Sequence, residues 1–218
     1  MIGQGSFFAD RREADRELAS AVKALAPSDP VVLALPRGGV PVGYEVAKAL
    51  GAPLDIIMVR KIGAPGHEEY GIGAVVDGSA AQIVIDREMA RMVGATPDYI
   101  ERQAARELEE IERRRAIYRP GPPEALAGRT VVVVDDGIAT GGTVSAALKA
   151  LAGASPARIV LAVPLAPRDI LPSLRERCDD VICLASPEPF YAVGAHYRDF
   201  GQTTDEEVIR FLADARVG

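Results

Sequence analysis

The residues in this chain that are best suited to chemistry lie in one short stretch, where two carboxylates follow a run of valines. Asp135 and Asp136 come directly after residues 131–134, and a loop of small residues, GIATGGT, follows them. Where such a loop opens a helix, its backbone N–H groups and the hydroxyls of Thr140 and Thr143 can converge on a phosphate. The two carboxylates would repel that phosphate unless a polyol lay between the acids and the phosphate and donated hydrogen bonds to the acids. The pattern therefore predicts a site for a ribose 5-phosphate.

The elements that must position these groups alternate between strands and helices. Short apolar runs rich in β-branched residues predict strands at 31–35, 54–60, 130–134, 157–163 and 180–184. Helical spacing predicts helices at 10–25, 40–50, 142–151, 169–177 and 204–216. Right-handed crossovers between such strands make them parallel, and strands this apolar are buried on both faces. The sequence therefore predicts an α/β fold with an open parallel sheet flanked by helices, and a ligand beyond the carboxyl ends of its strands.

Two segments depart from this alternation. Residues 61–85 are rich in glycine and alternate only weakly, which predicts a long mobile loop or a β-ribbon. Residues 96–118 predict a helical insertion, with Pro97 in its first turn and apolar residues along one side. The arginines and glutamates on its other side favour a solvated surface, and the alternative is a polyanion site at residues 113–115.

Composition and charge limit the classes of partner. A chain of 218 residues suits a single domain, here residues 1–218. A net charge of -6 argues against nucleic acid, which would call for a basic face. Cys178 and Cys183 fit neither a redox motif nor a metal site, and no secretory segment opens the sequence. We expect a cytoplasmic protein with a small-molecule ligand and no membrane partner.

The order of four apolar residues, two acids, three residues and Thr-Gly-Gly-Thr at 131–143 resembles the phosphoribosyl pyrophosphate (PRPP) signature of type I phosphoribosyltransferases. The resemblance implies that Asp135 and Asp136 contact the ribose hydroxyls and that residues 138–143 hold the 5-phosphate. The implied PRPP-binding set is Asp135, Asp136, Gly137, Ile138, Ala139, Thr140, Gly141, Gly142 and Thr143. Many members carry Val or Ile where this chain has Gly137, and we expect only extra local freedom from the glycine.

The same resemblance implies a pyrophosphate site made from residues that follow the first two predicted strands. Arg37, Gly38 and Gly39 match the family's short pyrophosphate loop, and an arginine with backbone amides suits a dianion. Arg60 and Lys61 would close the second strand at the same edge of the sheet. Arg37 and Lys61 would stabilise the departing pyrophosphate and join the two acids as candidate catalytic residues. The alternatives are a surface turn and a solvated basic pair.

Residues 62–78 would then be the lid that excludes water during the reaction. The candidate acids or bases in it are His67, Glu68, Glu69 and Tyr70, which could equally be exposed loop residues. Residues 186–202 resemble the purine-contacting, hood-like segment of hypoxanthine-guanine phosphoribosyltransferases. In that segment Phe190 or Tyr191 would stack on a base beside Val193, unless these aromatics only fill a small core. His196 is expected at the surface or satisfied in the core.

The resemblance implies transfer of the 5-phosphoribosyl group from PRPP to a nitrogen of a purine-like nucleobase, with release of pyrophosphate. Mg²⁺ would arrive with PRPP close to Asp135 and Asp136, since the sequence has no His/Cys metal cluster. Family members are commonly homodimers, and we expect one here. Two alternatives are a non-catalytic regulator that senses PRPP or a nucleotide, and an ordinary nucleotide-binding α/β protein whose loop holds another phosphate.

Overall fold

The computed structural model describes residues 8–78, 81–118 and 122–217. The helices are α1 (Arg11–Ala24), α2 (Gly39–Leu50), α3 (Arg87–Met92), α4 (Pro97–Tyr118), α5 (Gly142–Ala152), α6 (Leu171–Arg175) and α7 (Asp205–Val217). The strands are β1 (Pro30–Ala34), β2 (Leu54–Ile56), β3 (Val59–Ala64), β4 (His67–Val76), β5 (Gln82–Ile85), β6 (Thr130–Val134), β7 (Arg158–Leu165) and β8 (Asp180–Ala185). A 3-10 helix spans Val193–His196. No helix in the described ranges has the length and apolar character needed to cross a membrane.

Five strands form a parallel sheet in the order β2-β1-β6-β7-β8. β6 lies at its centre and pairs along its whole length with β1 on one side and β7 on the other. The chain leaves β1 towards β2, whereas it leaves β6 in the opposite direction towards β7 and β8. Where connections diverge in this way, a crevice opens beyond the carboxyl ends of the two adjacent strands. The topology therefore places the expected ligand crevice between the ends of β1 and β6.

The run of valines in β6 reflects burial of both faces of this sheet. Val132 and Val134 pack into a core shared with α1, α2, α4 and α7, whereas Val131 and Val133 pack against α5 and α6. Successive residues of a strand point to opposite faces, so a strand covered on both sides needs apolar residues throughout. The prediction of an open parallel sheet flanked by helices is confirmed.

β3, β4 and β5 form a separate antiparallel sheet in that order. The segment predicted as a loop or a ribbon is thus a ribbon, and the predicted strand 54–60 is divided between two sheets. The division lies at Ile57 and Met58. The N–H of Ile57 still bonds to the carbonyl of Ala34 in β1, but the N–H of Met58 donates to the carboxylate of Asp77 at 2.7 Å. Asp77 therefore turns the chain out of the parallel sheet.

The predicted helical insertion is α4, which attaches the ribbon to the rest of the molecule. Its buried side carries Ala104 and Ile111. Its polar side is only partly solvated, because Arg115 forms an ion pair of 3.2 Å with the buried Asp77 and Glu107 pairs with Arg60 of β3 at 2.8 Å. The helix thus contributes to holding the end of β4 and the start of β3 in place.

Candidate active site

The loops that follow β1 and β6 are in direct contact at the crevice, and two glycines make that contact possible. A Cβ added at Gly38 would lie 2.1 Å from Oδ2 of Asp136, and one added at Gly39 would lie 2.8 Å from the carbonyl oxygen of Val134. A side chain at 39 would meet the backbone of β6, whereas one at 38 would displace the carboxylate of Asp136. The structure thereby brings the predicted pyrophosphate loop and the predicted ribose-binding acids together.

The loop from 137 to 141 leads into the first turn of α5. Gly141 takes the N-cap position with a left-handed φ of 78°, and no side chain in the described ranges caps the helix. Thr140 precedes the N-cap residue and is exposed, and Thr143 lies in the first turn of α5 and is half-buried. Uncapped N–H groups at a helix N-terminus attract an anion. This geometry suits the predicted phosphate position.

Ile138 has a different place in the loop from the one expected of a ligand-binding residue. Its side chain is buried in the core beneath α5, and its N–H donates to the carbonyl of Leu165 at 2.8 Å. It therefore anchors the loop to β7. Groups for the predicted phosphate would come from its neighbours, among which Ala139 and Gly142 are exposed.

The two acids share a largely buried and mutually repulsive environment. Burial raises the pKa of Asp135 well above its ordinary value, and the charge of Asp136 raises it further. Burial also raises the pKa of Asp136, although the nearby Arg11 opposes that rise. The N–H of Asp136 donates to the carboxylate of Asp135 at 2.9 Å. Such a pair favours ligands that bring hydrogen-bond donors or a cation.

Arg11 is a component of the site that sequence reasoning missed. Its guanidinium forms an ion pair with Asp136 and hydrogen bonds with the carbonyl of Gly201 and the hydroxyl of Thr203. It also lies 3.9 Å from the centroid of the Phe200 ring. The one available signal was weak: a cation in the first turn of α1 opposes the helix dipole and so needs another partner.

The predicted basic residues are only partly brought together. Arg37 follows a cis peptide bond at the crevice, is about half exposed and lies 3.6 Å from Asp205 at the start of α7. Arg60 and Lys61 do not close the second strand of the parallel sheet, because β2 ends at Ile56 and both residues belong to β3. That prediction of their position is wrong, and the cause is the turn fixed by Asp77. Lys61 is exposed.

The predicted lid residues His67, Glu68, Glu69 and Tyr70 all lie in the first half of β4 and are exposed. They follow the β3–β4 turn, in which Gly66 has a left-handed φ of 74°. The hydroxyl of Tyr70 lies 2.9 Å from the sulfur of Met89 in α3. Their positions agree with the alternative that these four residues are simply exposed. A role as catalytic acid or base stays a prediction.

Residues 186–202 cover the acid pair from the other side. The hydroxyl of Tyr197 donates to the backbone carbonyl of Asp136 at 2.9 Å, and burial raises the pKa of that tyrosine. Phe190 is half-buried and packs on the ring of His196 with 5.0 Å between centroids. Tyr191, in contrast, is 76% exposed. Phe190 thus belongs to a small aromatic core, His196 is buried, and of the two proposed stacking residues only Tyr191 presents an open ring.

Gly137 is needed for close packing, which goes beyond the extra local freedom expected of it. Its φ is 151°, and a Cβ there would lie 2.5 Å from Cγ1 of Val193. The hood-like segment therefore packs directly on the backbone of the acid motif. Val193 touches the loop that carries the acids, and its contact with a base stays a prediction. A larger residue at 137 would push the two segments apart.

Comparison with known proteins agrees with this geometry. The family description "Phosphoribosyl transferase domain" matches residues 11–191, which include both crevice loops. The chain belongs to the phosphoribosyltransferase family. Two curated Mycobacterium tuberculosis proteins, from strains CDC 1551 / Oshkosh and ATCC 25618 / H37Rv and provisionally named phosphoribosyl transferases, are each 44% identical to it over 209 residues. The matched region is 94% of this chain and 46% of each relative, so the chain spans about half their length.

Two solved structures share the fold of this phosphoribosyltransferase chain. The crystal structure of TT1426 from Thermus thermophilus is 44% identical, with a TM-score of 0.81 over 95% of this chain and 98% of that one. The AQ2163 protein of Aquifex aeolicus is 14% identical, with a TM-score of 0.50 over 84% of this chain and 78% of that one. At such low identity the second likeness concerns the fold alone.

Proposed function

We propose that residues 1–218 form one domain that transfers the 5-phosphoribosyl group of PRPP to a ring nitrogen of a nucleobase-like acceptor, purine-like by preference, with release of pyrophosphate. The observation that carries this proposal is the contact between the Gly38–Gly39 loop and the Asp135–Asp136 pair beside the uncapped end of α5. That contact would provide three adjacent subsites, for pyrophosphate, ribose and 5-phosphate, a combination that suits PRPP better than a simple phosphate.

Each subsite suits its group chemically. The ribose hydroxyls would donate hydrogen bonds to Asp135 and Asp136, whose burial favours a bound donor over bulk water. The 5-phosphate would accept from the N–H groups at the start of α5 and from the hydroxyls of Thr140 and Thr143. Arg37 would hold the pyrophosphate, which also needs the close backbone approach that glycine allows.

In the reaction, the acceptor nitrogen would form a bond to the anomeric carbon as the bond from that carbon to the pyrophosphate oxygen breaks. The acceptor then loses its N–H proton to water or to the released pyrophosphate, and the electron pair of the broken bond leaves with pyrophosphate. Positive charge developing on the sugar would be stabilised by the Asp135–Asp136 pair, and negative charge on pyrophosphate by Arg37 and Lys61. The chain contributes positioning and electrostatics, with no covalent intermediate.

The acid pair also fits a divalent cation that enters with the substrate. No set of three or more His, Cys, Asp or Glu side chains that could hold a metal is present among the described residues. Two neighbouring carboxylates, Asp135 and Asp136, supply the oxygen ligands that Mg²⁺ prefers, and PRPP oxygens would supply others. Bound Mg²⁺ would supply neutralisation of the pyrophosphate charge.

One observation favours the alternative function of a regulator that binds PRPP without turnover. Arg60, predicted on the pyrophosphate side, is held by Glu107, and Arg37 faces Asp205. If these pairs persist with ligand bound, Lys61 is the one of the three predicted basic residues left to stabilise the leaving group. A homodimer, as in other members of the family, remains a prediction.

Thermal unfolding with and without Mg·PRPP tests the proposal, with ribose 5-phosphate and ATP for comparison. Ligand at about 100 times its Kd adds about 2.7 kcal/mol to the free energy of unfolding, which raises Tm by about 5 to 10 °C at this chain length. Asp136→Asn should abolish the PRPP-dependent increase, whereas Asp98→Asn, at an exposed position in α4, should keep it.

Pyrophosphate release with a set of nucleobases then separates the enzyme from the regulator. A PRPP-specific Tm increase together with pyrophosphate release supports the transferase. The same increase without release from any base supports the regulator. Equal increases with every phosphate compound would refute both and leave a generic phosphate-binding domain.

A further inference from the structure

Asp205, the first residue of α7, lies between the predicted pyrophosphate loop and the end of α4. Its Oδ1 atom accepts a hydrogen bond of 2.5 Å from the hydroxyl of Tyr118, the last residue of α4. The same Oδ1 atom lies 3.6 Å from Nη1 of Arg37. One carboxylate oxygen therefore connects the helical insertion with the arginine that is proposed to hold pyrophosphate.

The carboxylate of Asp205 has a firm support on both helices. α7 begins with a capping box, in which the N–H of Glu207 donates to the Thr204 hydroxyl at 3.2 Å and the N–H of Thr204 donates to the Glu207 carboxylate at 3.0 Å. Tyr118 is buried and belongs to the hydrophobic core. Burial and the hydrogen bond to Asp205 raise the pKa of Tyr118 to about 12, so its hydroxyl remains a donor at neutral pH.

Arg37 is restrained less tightly than Asp205. Its side chain is 45% exposed, and a separation of 3.6 Å is longer than a hydrogen bond, so the contact with Asp205 is an ion pair only. A guanidinium carries five N–H donors, and this ion pair engages none of them in a hydrogen bond. Arg37 can therefore stay beside Asp205 and still donate to an anion.

The negative charge of Asp205 could also repel an anion, but its surroundings reduce that effect. The hydrogen bond from Arg113 to Glu110 raises the pKa of Arg113, and the charge of Asp205 raises it further, so a second arginine lies within electrostatic reach of Asp205. The side chain of Asp205 is also 51% exposed, which screens its charge. These contacts favour an orienting role over a repulsive one.

We infer that Asp205 is a positioning residue: fixed by Tyr118, it restrains the Arg37 guanidinium beside the crevice, where that group would bind the pyrophosphate of PRPP. The inference rests on the proposed function, because Arg37 meets pyrophosphate only if PRPP is the substrate. Restraining a long side chain before the ligand arrives removes part of the entropic cost of binding. α4 thereby contributes to the site through Tyr118.

NMR relaxation of the Arg37 Nε–H group, in the full-length isotope-labelled chain, measures this restraint without any ligand. Asp205→Asn keeps an oxygen that accepts from Tyr118 but removes the charge that attracts Arg37, so the order parameter of the Arg37 Nε–H should fall. Glu206→Gln, which removes an exposed charge from the same turn of α7, is the matched control and should leave it unchanged. An equal order parameter in the two variants would overturn the inference.

Calorimetric titration of Mg·PRPP measures the effect on binding. Asp205→Asn should weaken the affinity about two- to twelvefold, the loss expected when one more long side chain has to be ordered on binding. In an Arg37→Met background the same substitution should have no effect, because Asp205 acts through Arg37. Tyr118→Phe, which keeps the charge of Asp205 but removes its support, should also weaken binding.

The outcomes separate this inference from the proposed function. Unchanged or tighter binding by Asp205→Asn would overturn the inference alone and show that Asp205 competes for Arg37. An equal loss in the Arg37→Met background would overturn it too, since Asp205 would then act by another route. Failure of the unchanged protein to bind Mg·PRPP would refute the proposed function and the positioning role with it. If Tyr118→Phe does not fold, the Asp205 and Arg37 variants still decide.

Discussion

Replacement of Arg11 by methionine tests whether this residue holds the acid pair, and the structure sets the size of the expected effect. Methionine keeps much of the side-chain volume but removes the ion pair with Asp136, two hydrogen bonds to the 201–203 segment and the contact with Phe200. The side chains of Arg11 and Asp136 are only 16% and 17% exposed, so solvent screening is weak. Hydrogen bonds to charged groups contribute about 1.5 to 3 kcal/mol, and loss of the set should cost about 3 kcal/mol.

The destabilisation caused by Arg11→Met should increase with pH. Arg11 attracts Asp136 only when that carboxyl is ionised, and removing the guanidinium raises the pKa of Asp136 further. The destabilisation is therefore full above the pKa that Asp136 has in the variant. It decreases as pH falls towards the pKa in the unchanged protein, which itself lies above the ordinary aspartate value of about 3.9.

Urea unfolding at a series of pH values measures this difference, and thermal unfolding should show a Tm lower by about 6 to 12 °C at a pH above the pKa of Asp136 in the variant. Arg12→Met is the matched control, since its exposed neighbour position should change stability by less than about 0.5 kcal/mol. An Arg11→Met variant as stable as Arg12→Met, or a destabilisation that is constant with pH, would refute the assigned role.

Three other substitutions test separate contacts. Gly137→Ala should lower the free energy of unfolding by about 2 to 4 kcal/mol, because the added Cβ meets Val193 at 2.5 Å and φ is 151°. In urea titrations, combining it with Val193→Ala should recover part of that loss. No recovery would contradict the packing. Gly38→Ala should remove the Tm increase given by Mg·PRPP, while Gly71→Ala, with open space around it, should keep it. Tyr197→Phe should lower Tm by about 2 to 4 °C through loss of about 1 kcal/mol from one hydrogen bond, and an unchanged Tm would show that water replaces it.

The sequence was sufficient for the sheet and the crevice because their signals are local. A strand buried on both faces requires the valine run of β6, and the glycines at 38 and 39 sit where two backbones meet. Residues 130–134 were predicted as a strand with the bounds that the structure has. In both cases the residue types themselves, a run of valines and a pair of glycines, mark the feature in the sequence.

The features that could not be predicted depend on contacts far apart in the chain. The end of β2 is determined by Asp77, which accepts from Met58 nineteen positions earlier, so the pattern of apolar residues alone extended that strand too far. Arg11 reaches Asp136 across 125 positions, and no local spacing reports such a pair. The burial of Ile138 beneath α5 could not be predicted for the same reason, because it depends on contact with β7, which is distant in the sequence.

The hold of Arg11 on Asp136 has a consequence for ligand binding that can be measured. A ribose that donates to the Asp136 carboxylate must either displace the guanidinium or share the carboxylate with it. In the first case release of Arg11 lowers the apparent affinity, so Arg11→Met should weaken folding yet bind Mg·PRPP more tightly at neutral pH. In the second case Arg11 keeps the carboxylate ionised and oriented, and folding and affinity should weaken together. Calorimetric titration of Mg·PRPP into this variant therefore distinguishes a competing arginine from a supporting one, and an unchanged affinity would remove Asp136 from the ribose site.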